Sequence, residues 1–483
     1  MPYLAKLEKA GIPATYIVLD EEIPKVCHDA ALHGIPTVRY ITGSRLQAGP
    51  EDVERIYRSV MDSLIQPLND DEKKSGLYAP REPRILFEGT LEEAEEFYNQ
   101  VEYLPGILNA PFSKYTDGLP VVIPTEERVE AMLKGTSHKP DEIIAYQKDW
   151  KAMDGMHSLA GYEIKKGDPV TFLPIGRVAT VEQIAVNAVM AGCKPEQFPI
   201  VLAIAESGGA TGDGRGEGGA FIVSGPIYKE VGMNVSYGRF NAGNPTNKVL
   251  GRVGALIWRN IGGYKESVNT IMTYGNAITN GGLIFAEYAE GLPPEWEGLN
   301  EELGFKKDES VLMPIMPLRW GIGQENAPGV YRSLQKSGHG AIARFLGVKG
   351  LPGPHNYLDF LVHHIWDTME GGFSLVITPS MAVDLVNLGF KSKREVYEYI
   401  WKKSFQPLKE YRNRGAADYW TNGWTGIEPR SGKPWKELPD DYMVPAGGPG
   451  PDGYCIIVCD GQETTVDRFS GGHGRAYSID VWK

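Results

Sequence analysis

Residues 170–263 alternate apolar runs with turn signals, and this stretch limits the folds open to the chain more than any other. In order it reads as a strand (VTFLPIG), a capped helix (TVEQIAVNAVMAG), a strand (FPIVLAIAE), a glycine-rich turn, a strand (AFIVSGP), an Asn/Gly loop and a closing helix (VGALIWRNIGG). Two of the three strands are almost wholly apolar, which is typical of strands covered on both faces. We therefore predict that 170–263 is the core of a large mixed α/β domain.

The Asn/Gly loop is richer in polar side chains than a simple connection requires, so we predict the functional site there. We expect Asn241, Asn244 and Asn247 to donate hydrogen bonds to a carbonyl or developing oxyanion, and Arg252 to pair with a carboxylate. A structural role is the alternative, because Asn and Gly also populate loops for their tolerance of left-handed backbone. The polar residues of the loop are Asn234, Tyr237, Arg239, Asn241, Asn244, Asn247 and Arg252.

The first 68 residues repeat one pattern, a short helix followed by GIP and a β-rich run. The two copies are LAKLEKAGIPATYIVLD and KVCHDAALHGIPTVRYI, and the amphipathic helix PEDVERIYRSVMDSLIQPL follows them. A two-stranded parallel sheet cannot cover both of its faces by itself. We therefore predict an α/β protein with a partial domain at 1–75 that a partner subunit completes, and a large α/β domain at 76–483 that ends in an aromatic arm, 411–483.

Further elements follow from local signals. REPRILFEG predicts a strand before a helix with a Thr90/Glu93 capping box, and DGLPVVIPT a strand before a helix that begins with Glu126. FSLVITP and GYCIIVCDG predict strands, and Ser392 a helix start. A weak repeat relates Thr125 to Pro140 and Thr180 to Pro195.

Composition points to a soluble enzyme or binding protein rather than a nucleic-acid or membrane protein. The net charge is -13, and the Lys and Arg residues are scattered singly, which argues against nucleic acid and anionic membranes as partners. The 483 residues hold four cysteines, too few for a disulfide framework, and the N-terminus lacks a secretory signal. We expect a cytoplasmic protein with a small-molecule substrate.

Several sequence motifs resemble chemical sites, but the segments around them favour a structural role. Gly214, Gly216 and Gly219 have the G-x-G-x-x-G spacing but precede a strand instead of a helix, which favours a wide turn or binding loop over a dinucleotide site. His363 and His364 lie in an apolar segment with Asp359 at helical spacing from His363, and a structural role is favoured there over a metal site. No metal or cofactor is predicted.

The four cysteines give no strong nucleophile. Cys455 and Cys459 lie too far apart along a strand to bond to each other. Cys193 follows the C-terminal end of a helix, where the dipole raises a thiol pKa, so we predict a buried thiol. Cys27 lies in the first turn of a helix, a better position for a thiolate, but its spacing also suits burial in the core.

The phrases DGLPVVIPTEERVEAMLKGT, ATVEQIAVNAVMAGCKPEQFPIVLAIAE, VSGPIYKEVGMN, YGRFNAGNPTNKVLGR and RNIGG resemble the large C-terminal portion of the UGSC-like proteins. This bacterial family is named for a Sec-Gly-Ser-Cys or Cys-Gly-Ser-Cys motif, and residues 4–68 resemble the second half of its small α/β domain. The resemblance implies that the motif lies upstream of KAGIP. Because the sequence has no C-x-x-C, we expect a small partner subunit to carry the motif.

The leading hypothesis is the large subunit of a hetero-oligomeric enzyme, in which a thiol or selenol of the partner makes or breaks a carbon–heteroatom bond in a small organic substrate. One alternative is a cofactor-free or metal-assisted lyase or hydrolase that uses Glu182, Glu206 or the His363 region as acid or base. The other is a non-catalytic scaffold for a redox subunit. The aromatic arm and the C-terminal tail, if they dock on a neighbour, predict a dimer of heterodimers.

Overall fold

The computed structural model describes residues 4, 7–8, 10–19, 22–43, 50–74, 76, 83–107, 109–146, 166–208, 220–269, 282–315, 325–328, 348–351, 353–362, 372–413, 427–428, 430–445, 450–461 and 465–483. The strands are β1 Tyr16–Leu19, β2 Tyr40–Gly43, β3 Val101–Glu102, β4 Phe112–Ser113, β5 Ala220–Ser224, β6 Leu283–Ala286, β7 Val311–Ile315, β8 Glu325–Pro328, β9 Phe373–Ile377, β10 Phe405–Pro407, β11 Met443–Pro445, β12 Tyr454–Val458, β13 Thr465–Ser470 and β14 Tyr477–Ser478. The α-helices are α1 Ile23–Leu32, α2 Pro50–Ile65, α3 Leu91–Tyr98, α4 Glu126–Leu133, α5 Val181–Ala191, α6 Phe198–Glu206, α7 Ile227–Glu230, α8 Pro245–Asn260, α9 Leu299–Glu302, α10 Tyr357–Val362, α11 Pro379–Asn387, α12 Lys393–Lys403 and α13 Leu408–Asn413.

Within these residues, two four-stranded sheets form the centre of the described part of 76–483. The first core sheet has the order β14-β7-β5-β6, and the second has the order β12-β9-β13-β8. In each sheet one strand pair is parallel, β5 with β6 and β9 with β12, and the other pairs are antiparallel. The protein is thus an α/β protein with mixed sheets, as the sequence predicts.

The alternation of side chains along the strands shows that the two core sheets lie face to face. Phe221 and Val223 point to one side of β5 and pack with α5, α6 and α8, whereas Ala220 and Ile222 point to the other side. On that other side they share an apolar cluster with Val376 of the second sheet. The outer face of the second sheet packs on α10, α11 and α12. The order of layers is therefore helix, sheet, sheet, helix.

The N-terminal unit is a two-stranded parallel sheet in the part of the chain that the structure describes. β1 pairs with β2 in register, from Tyr16 opposite Tyr40 to Leu19 opposite Gly43. Helix α1 packs on β1, and α2 packs on β2. The order β1, α1, β2, α2 agrees with the last four elements of the predicted order, which is helix, strand, helix, strand, helix; the first predicted helix falls in part on residues outside the described ranges.

Two segments predicted as strands have other structures. Phe198–Glu206 is helix α6, in which every residue is buried, so its run of apolar residues reflects burial on all sides and not a strand. Residues 170–176 form a tight turn in which the Phe172 N–H donates to the Arg177 carbonyl. Pro174 lies within this turn and has no N–H for a strand ladder. Of the three strands predicted in the core 170–263, β5 is therefore the one that the described residues form.

The two strands predicted before α3 and α4 are not paired. Residues 83–90 and 119–125 have no strand assignment, and Pro120 and Pro124 remove donors that pairing would need. The helix starts are confirmed: Thr90 and Glu93 form the predicted capping box, and Thr125 caps α4 with Glu126 in its first turn. Ser392 likewise caps α12.

The C-terminal residues pack on their own chain. β12 and β13 lie inside the second core sheet, and β14 pairs with β7 of the first. The Trp482 indole donates to the Glu206 carboxylate at 2.8 Å, and the Thr136 hydroxyl donates to the Trp482 carbonyl at 2.6 Å. A contact of the aromatic arm and the tail with a neighbouring subunit stays a prediction, and residues 414–426 of the arm lie outside the described ranges. In the described part of the chain, the helices are too short or too polar to cross a membrane.

Candidate functional site

A cleft of about 300 Å³ opens at the carboxyl ends of the parallel strands β9 and β12. In open α/β sheets this edge is where ligands most often bind, because the loops that leave it diverge. Both core sheets contribute residues to the cleft, since one wall is the loop that follows β5 of the first core sheet and helix α7. The lining residues are Tyr237, Gly238, Arg239, Phe240, Asn241, Val376, Ile377, Thr378, Cys459, Gly461 and Asp467.

Residues 237–241, here called the cleft loop, are held by buried asparagines. The Asn247 amide donates to the carbonyls of Asn234 and Arg239 at 2.9 and 3.3 Å, and it accepts from the Asn234 N–H at 3.1 Å. The Asn244 amide also donates to the Arg239 carbonyl, at 3.2 Å. Asn244 and Asn247 are 8% and 4% exposed and face the loop backbone. Their place is behind the cleft wall, where they position Arg239.

Arg239 extends from the cleft loop into the cleft. Its Nη2 donates to Asp467 Oδ2 at 2.7 Å, and its Nη1 donates to the Asp460 carbonyl at 3.3 Å. Its guanidinium also lies over the Phe240 ring, 4.8 Å from the centroid. The buried Nε has no acceptor among the described residues. A guanidinium with an unused donor, fixed by a carboxylate on one side, can bind an acceptor group of a ligand.

Asn241 is the predicted site residue whose side chain faces the cleft. It is exposed, and its backbone N–H donates to the Gly238 carbonyl at 2.7 Å, which closes a tight turn. Gly238 has φ +69°, a conformation that favours glycine. The Asn241 amide has no hydrogen-bond partner within the described ranges, so it is available to a ligand.

Thr378 brings a hydroxyl to the opposite wall, at the point where β9 ends and α11 begins. Its Oγ1 accepts from the Met381 N–H at 3.4 Å and lies 3.1 Å from Ser380 Oγ. The Thr-Pro-Ser sequence after an apolar strand is a typical helix start, and Pro379 suits the first helical position. This local signal could have identified Thr378 as a residue at a strand end, but not as a neighbour of Arg239.

Cys459 lines the floor of the cleft, yet it is a poor nucleophile. Burial raises the pKa of its thiol to about 12, and the thiol donates to the Ala286 carbonyl at 3.3 Å. Burial also raises the pKa of Cys193 to about 12 and that of Cys455 well above its usual value. All four cysteines are free, and Cys27 is partly exposed on α1. The cleft therefore contains no thiolate of its own near neutral pH.

Arg252 lies away from the cleft on the third turn of α8. Its Nε and Nη2 donate to the two oxygens of Asp117 at 2.8 Å each, and Nη2 also donates to the Pro120 carbonyl at 2.9 Å. Arg252 therefore pairs with a carboxylate of its own chain and not with a carboxylate of a ligand. The arrangement fastens the segment before α4 to α8.

A second polar cluster is buried at the carboxyl end of β6. The Lys393 ammonium donates to Glu287 at 2.8 Å and to Glu302 at 3.1 Å, and the Ser224 hydroxyl donates to Glu287 at 3.0 Å. Lys393 is only 2% exposed. Burial raises the pKa of Glu302, and the neighbouring Glu287 adds to this effect, although Lys393 opposes it. Glu287 is 1% exposed, so the centre of the cluster is shielded from solvent.

Glu182 and Glu206, two of the alternative acid or base residues, have separate partners within the chain. Glu182 pairs with Arg84 at 2.8 Å, and Glu206 is buried against Trp482. His363, His364 and the glycine-rich turn with Gly214, Gly216 and Gly219 lie outside the described residues. Across the described ranges, His, Cys, Asp and Glu side chains form no group of three placed to hold a metal ion.

No protein-family model, curated protein or solved structure matches this chain.

Proposed function

We propose that this chain is the substrate-binding subunit of an enzyme and that a small organic molecule binds in the cleft at the carboxyl ends of β9 and β12. The observation that carries the proposal is the convergence of unused donors on one cavity: Arg239 Nε and the Asn241 amide. Such donors can stabilise a carbonyl oxygen or a developing oxyanion. Phe240 and Val376 provide apolar walls for the carbon skeleton. The free thiols support the cytoplasmic location that the sequence predicts.

The reactive group is proposed to come from a partner subunit. The cysteines of the large domain are buried and have raised pKa values, so a thiol reaction needs a thiolate or selenolate from elsewhere. The resemblance to the UGSC-like proteins implies a partner with a Cys/Sec-Gly-Ser-Cys motif. In this scheme the large subunit orients the substrate and stabilises charge, while the thiolate or selenolate of the partner attacks the substrate. In a reductive reaction the Cys/Sec and Cys of the motif supply the two electrons and are oxidised to a disulfide or selenenylsulfide.

The surface of the N-terminal unit supports a partner. Along α2, four apolar side chains at four-residue spacing, here called the α2 stripe, are exposed to solvent: Val53, Tyr57, Met61 and Ile65. Their exposed fractions are 59%, 60%, 44% and 73%. Ile17 of β1 is also more than half exposed. A continuous apolar stripe beside a parallel sheet that has two strands in the described residues is typical of a surface that another chain covers.

The proposal is tested by native mass spectrometry of the complex purified through this chain, with peptide identification of every co-purifying subunit. A stoichiometric small subunit with a Cys/Sec-Gly-Ser-Cys motif is the expected result, and the mass also gives the stoichiometry. A homo-oligomer without a partner would contradict the partner scheme and favour a lyase or hydrolase.

A scaffold role is separated from an enzymatic one by the variant Asn241→Ala. In an enzyme the variant lowers turnover by the assembled complex about 100-fold, as expected for the loss of one oxyanion donor, while the partner still co-purifies. In a scaffold the variant leaves the activity of the partner unchanged. The exposed variant Tyr103→Ala, which lies outside the cleft lining, is the matched control.

A further inference from the structure

The core strands of the two sheets follow one another in the same order along the chain, although β10, α13 and β11 precede β12 in the second half and α9 precedes β7 in the first. In the first half, the central strand β5 is followed by α7 and α8, the parallel neighbour β6 and the antiparallel neighbour β7. In the second half, the central strand β9 is followed by α11 and α12, the parallel neighbour β12 and the antiparallel neighbour β13. The same topology in both halves relates them as two copies of one folding unit.

Each half supplies the edge strand of the other. β8 follows the first half in sequence but pairs with β13 of the second, and β14 follows the second half but pairs with β7 of the first. Both pairings are antiparallel and occupy the same place in their sheets. The reciprocal exchange strengthens the equivalence, because a chance likeness would not extend to the fourth strand.

The register makes the equivalence specific to single residues. Val223 lies opposite Ala286 in the first half, and Ile377 lies opposite Val458 in the second. The next hydrogen bond between the parallel strands is also equivalent in the two halves. The Glu287 N–H donates to the Val223 carbonyl, and the Cys459 N–H donates to the Ile377 carbonyl, both at 2.9 Å. Cys459 therefore takes the position of Glu287. By the same register, Thr378 takes the position of Ser224.

The position that Glu287 and Cys459 share is filled by protein side chains in the first half, the closed copy, and opens into the cleft in the second, the open copy. In the first half, the Lys393 side chain, which belongs to the second half, pairs with both Glu287 and Glu302. In the second half, Arg239 from the first half crosses over and pairs with Asp467, the counterpart of Met313 in the register. One cation thus holds two carboxylates in the closed copy but one side-chain carboxylate in the open copy. The difference lies at Cys459, which takes the position of Glu287 but has no carboxylate to pair with Arg239.

We propose that the cleft binds a small organic acid whose carboxylate takes the place that Glu287 holds in the first half. The inference rests on the proposed function and names the substrate class of that cleft. The ligand carboxylate accepts from Arg239 Nε, which lacks an acceptor among the described residues. It also accepts from the Thr378 hydroxyl, as Glu287 accepts from Ser224. The carbon chain then extends past Phe240 and Val376 towards the Asn241 amide.

The closed copy shows why a carboxylate is tolerated beside Asp467. Glu287 and Glu302 both lie within 3.1 Å of the Lys393 ammonium, so one buried cation balances two carboxylates there. Asp467 corresponds in function to Glu302, and Ser236 holds the nearby Asp460 at 2.7 Å on the other side. A neutral amide would leave the second half with a single charge pair and would use the Nε donor less well.

The test is ligand-observed NMR with two sets of probes, the straight-chain carboxylates from acetate to hexanoate and the corresponding primary amides. The wild-type complex should bind at least one carboxylate about tenfold more tightly than its amide, since charge-assisted hydrogen bonds are the stronger. Cys459→Glu should abolish carboxylate binding, because the protein then supplies its own carboxylate at that position. Leu351→Glu, which adds the same charge to an exposed position outside the cleft lining, should not.

The outcomes separate the two proposals. Equal affinity for carboxylates and amides, with both lost in Cys459→Glu, would overturn the inference about the acid and leave the cleft as the site. Binding that survives Cys459→Glu, or no binding of either set, would overturn the cleft itself. If Cys459→Glu does not fold, Thr378→Val replaces it, and a loss of about tenfold for carboxylates but not for amides is expected; equal losses would contradict the inference.

Discussion

Arg239 and Asp467 are 228 residues apart in the sequence, yet Nη2 of the first donates to Oδ2 of the second at 2.7 Å. The pair joins the cleft loop of the first half to β13 of the second. Both side chains are mostly shielded, at 15% and 12% exposure, so the interaction is screened less than a surface ion pair. It fixes the position of the guanidinium in the wall of the cleft.

Asp467→Asn should destabilise the protein by about 1–3 kcal/mol, because it removes the charge that compensates a half-buried guanidinium. The free energy of unfolding, measured by urea denaturation, gives the effect. Asp70→Asn is the control, since the Asp70–Lys73 pair is fully exposed and should contribute nothing measurable. Equal effects of the two variants would contradict the role given to Asp467.

Asn247→Ala and Asn241→Ala should behave in opposite ways. Asn247 makes three buried hydrogen bonds that hold the cleft loop, so its loss should cost about 1–3 kcal/mol of stability and speed amide exchange in residues 237–241. Asn241 has an exposed side chain that faces the cleft, so its loss should weaken ligand binding and leave stability within about 0.5 kcal/mol. Hydrogen–deuterium exchange and thermal unfolding of both variants check this contrast.

Lys393→Met should destabilise the protein by about 3–5 kcal/mol, because Glu287 and Glu302 then remain buried without a cation. The triple variant with Glu287→Gln and Glu302→Gln should recover part of the loss. The single variant should also become more stable as the pH falls. A carboxyl group whose pKa is raised in the folded state favours folding when protonated, and removing Lys393 raises the pKa of Glu302 further. Urea denaturation at several pH values measures both effects.

His473 should make the stability fall as the pH drops from about 6.5 to about 4. Burial lowers the pKa of His473 to about 4, and its Nε2 has no partner in the described part of the chain. Below the unfolded pKa of about 6.5, the unfolded chain binds a proton that the folded protein excludes, which favours unfolding by at most about 3 kcal/mol. His473→Phe keeps the edge-to-face contact with Tyr397 and should flatten this slope. If the unfolding free energy of His473→Phe falls with pH as steeply as that of the wild type, His473 is not the group responsible.

Tyr57→Lys combined with Met61→Lys should prevent co-purification of the partner while the large domain keeps its unfolding temperature. Both side chains belong to the α2 stripe, and a charge in an apolar contact is costly to bury. Arg58→Ala is the matched control on the same helix, because Arg58 is exposed and pairs with Glu54. A partner that stays bound to the double lysine variant would place its docking surface elsewhere.

Local signals in the sequence predict much of the secondary structure. The apolar runs at β5, β9 and β12 are strands, and Thr90, Thr180 and Ser392 cap the helices that follow them, because each signal acts through neighbours a few residues away. The polar loop before α8 lines the cleft through residues 237–241, while its role as a functional site stays a prediction. The error at Phe198–Glu206 has a physical cause, since a helix buried on all sides has no polar face to show its period.

The composition of the cleft was decided by the tertiary structure. Thr378, Cys459 and Asp467 meet the cleft loop because the two sheets face each other and exchange edge strands, and no local pattern records that pairing. The roles of Asn247 and Arg252 depend equally on distant partners: one supports the loop backbone, and the other binds Asp117. The sequence by itself determined where the capped helices begin and that the runs at β5, β9 and β12 are strands, through short-range propensity and capping. Only the packing of the two halves decided which polar side chains were satisfied within the chain and which donors remained for a ligand.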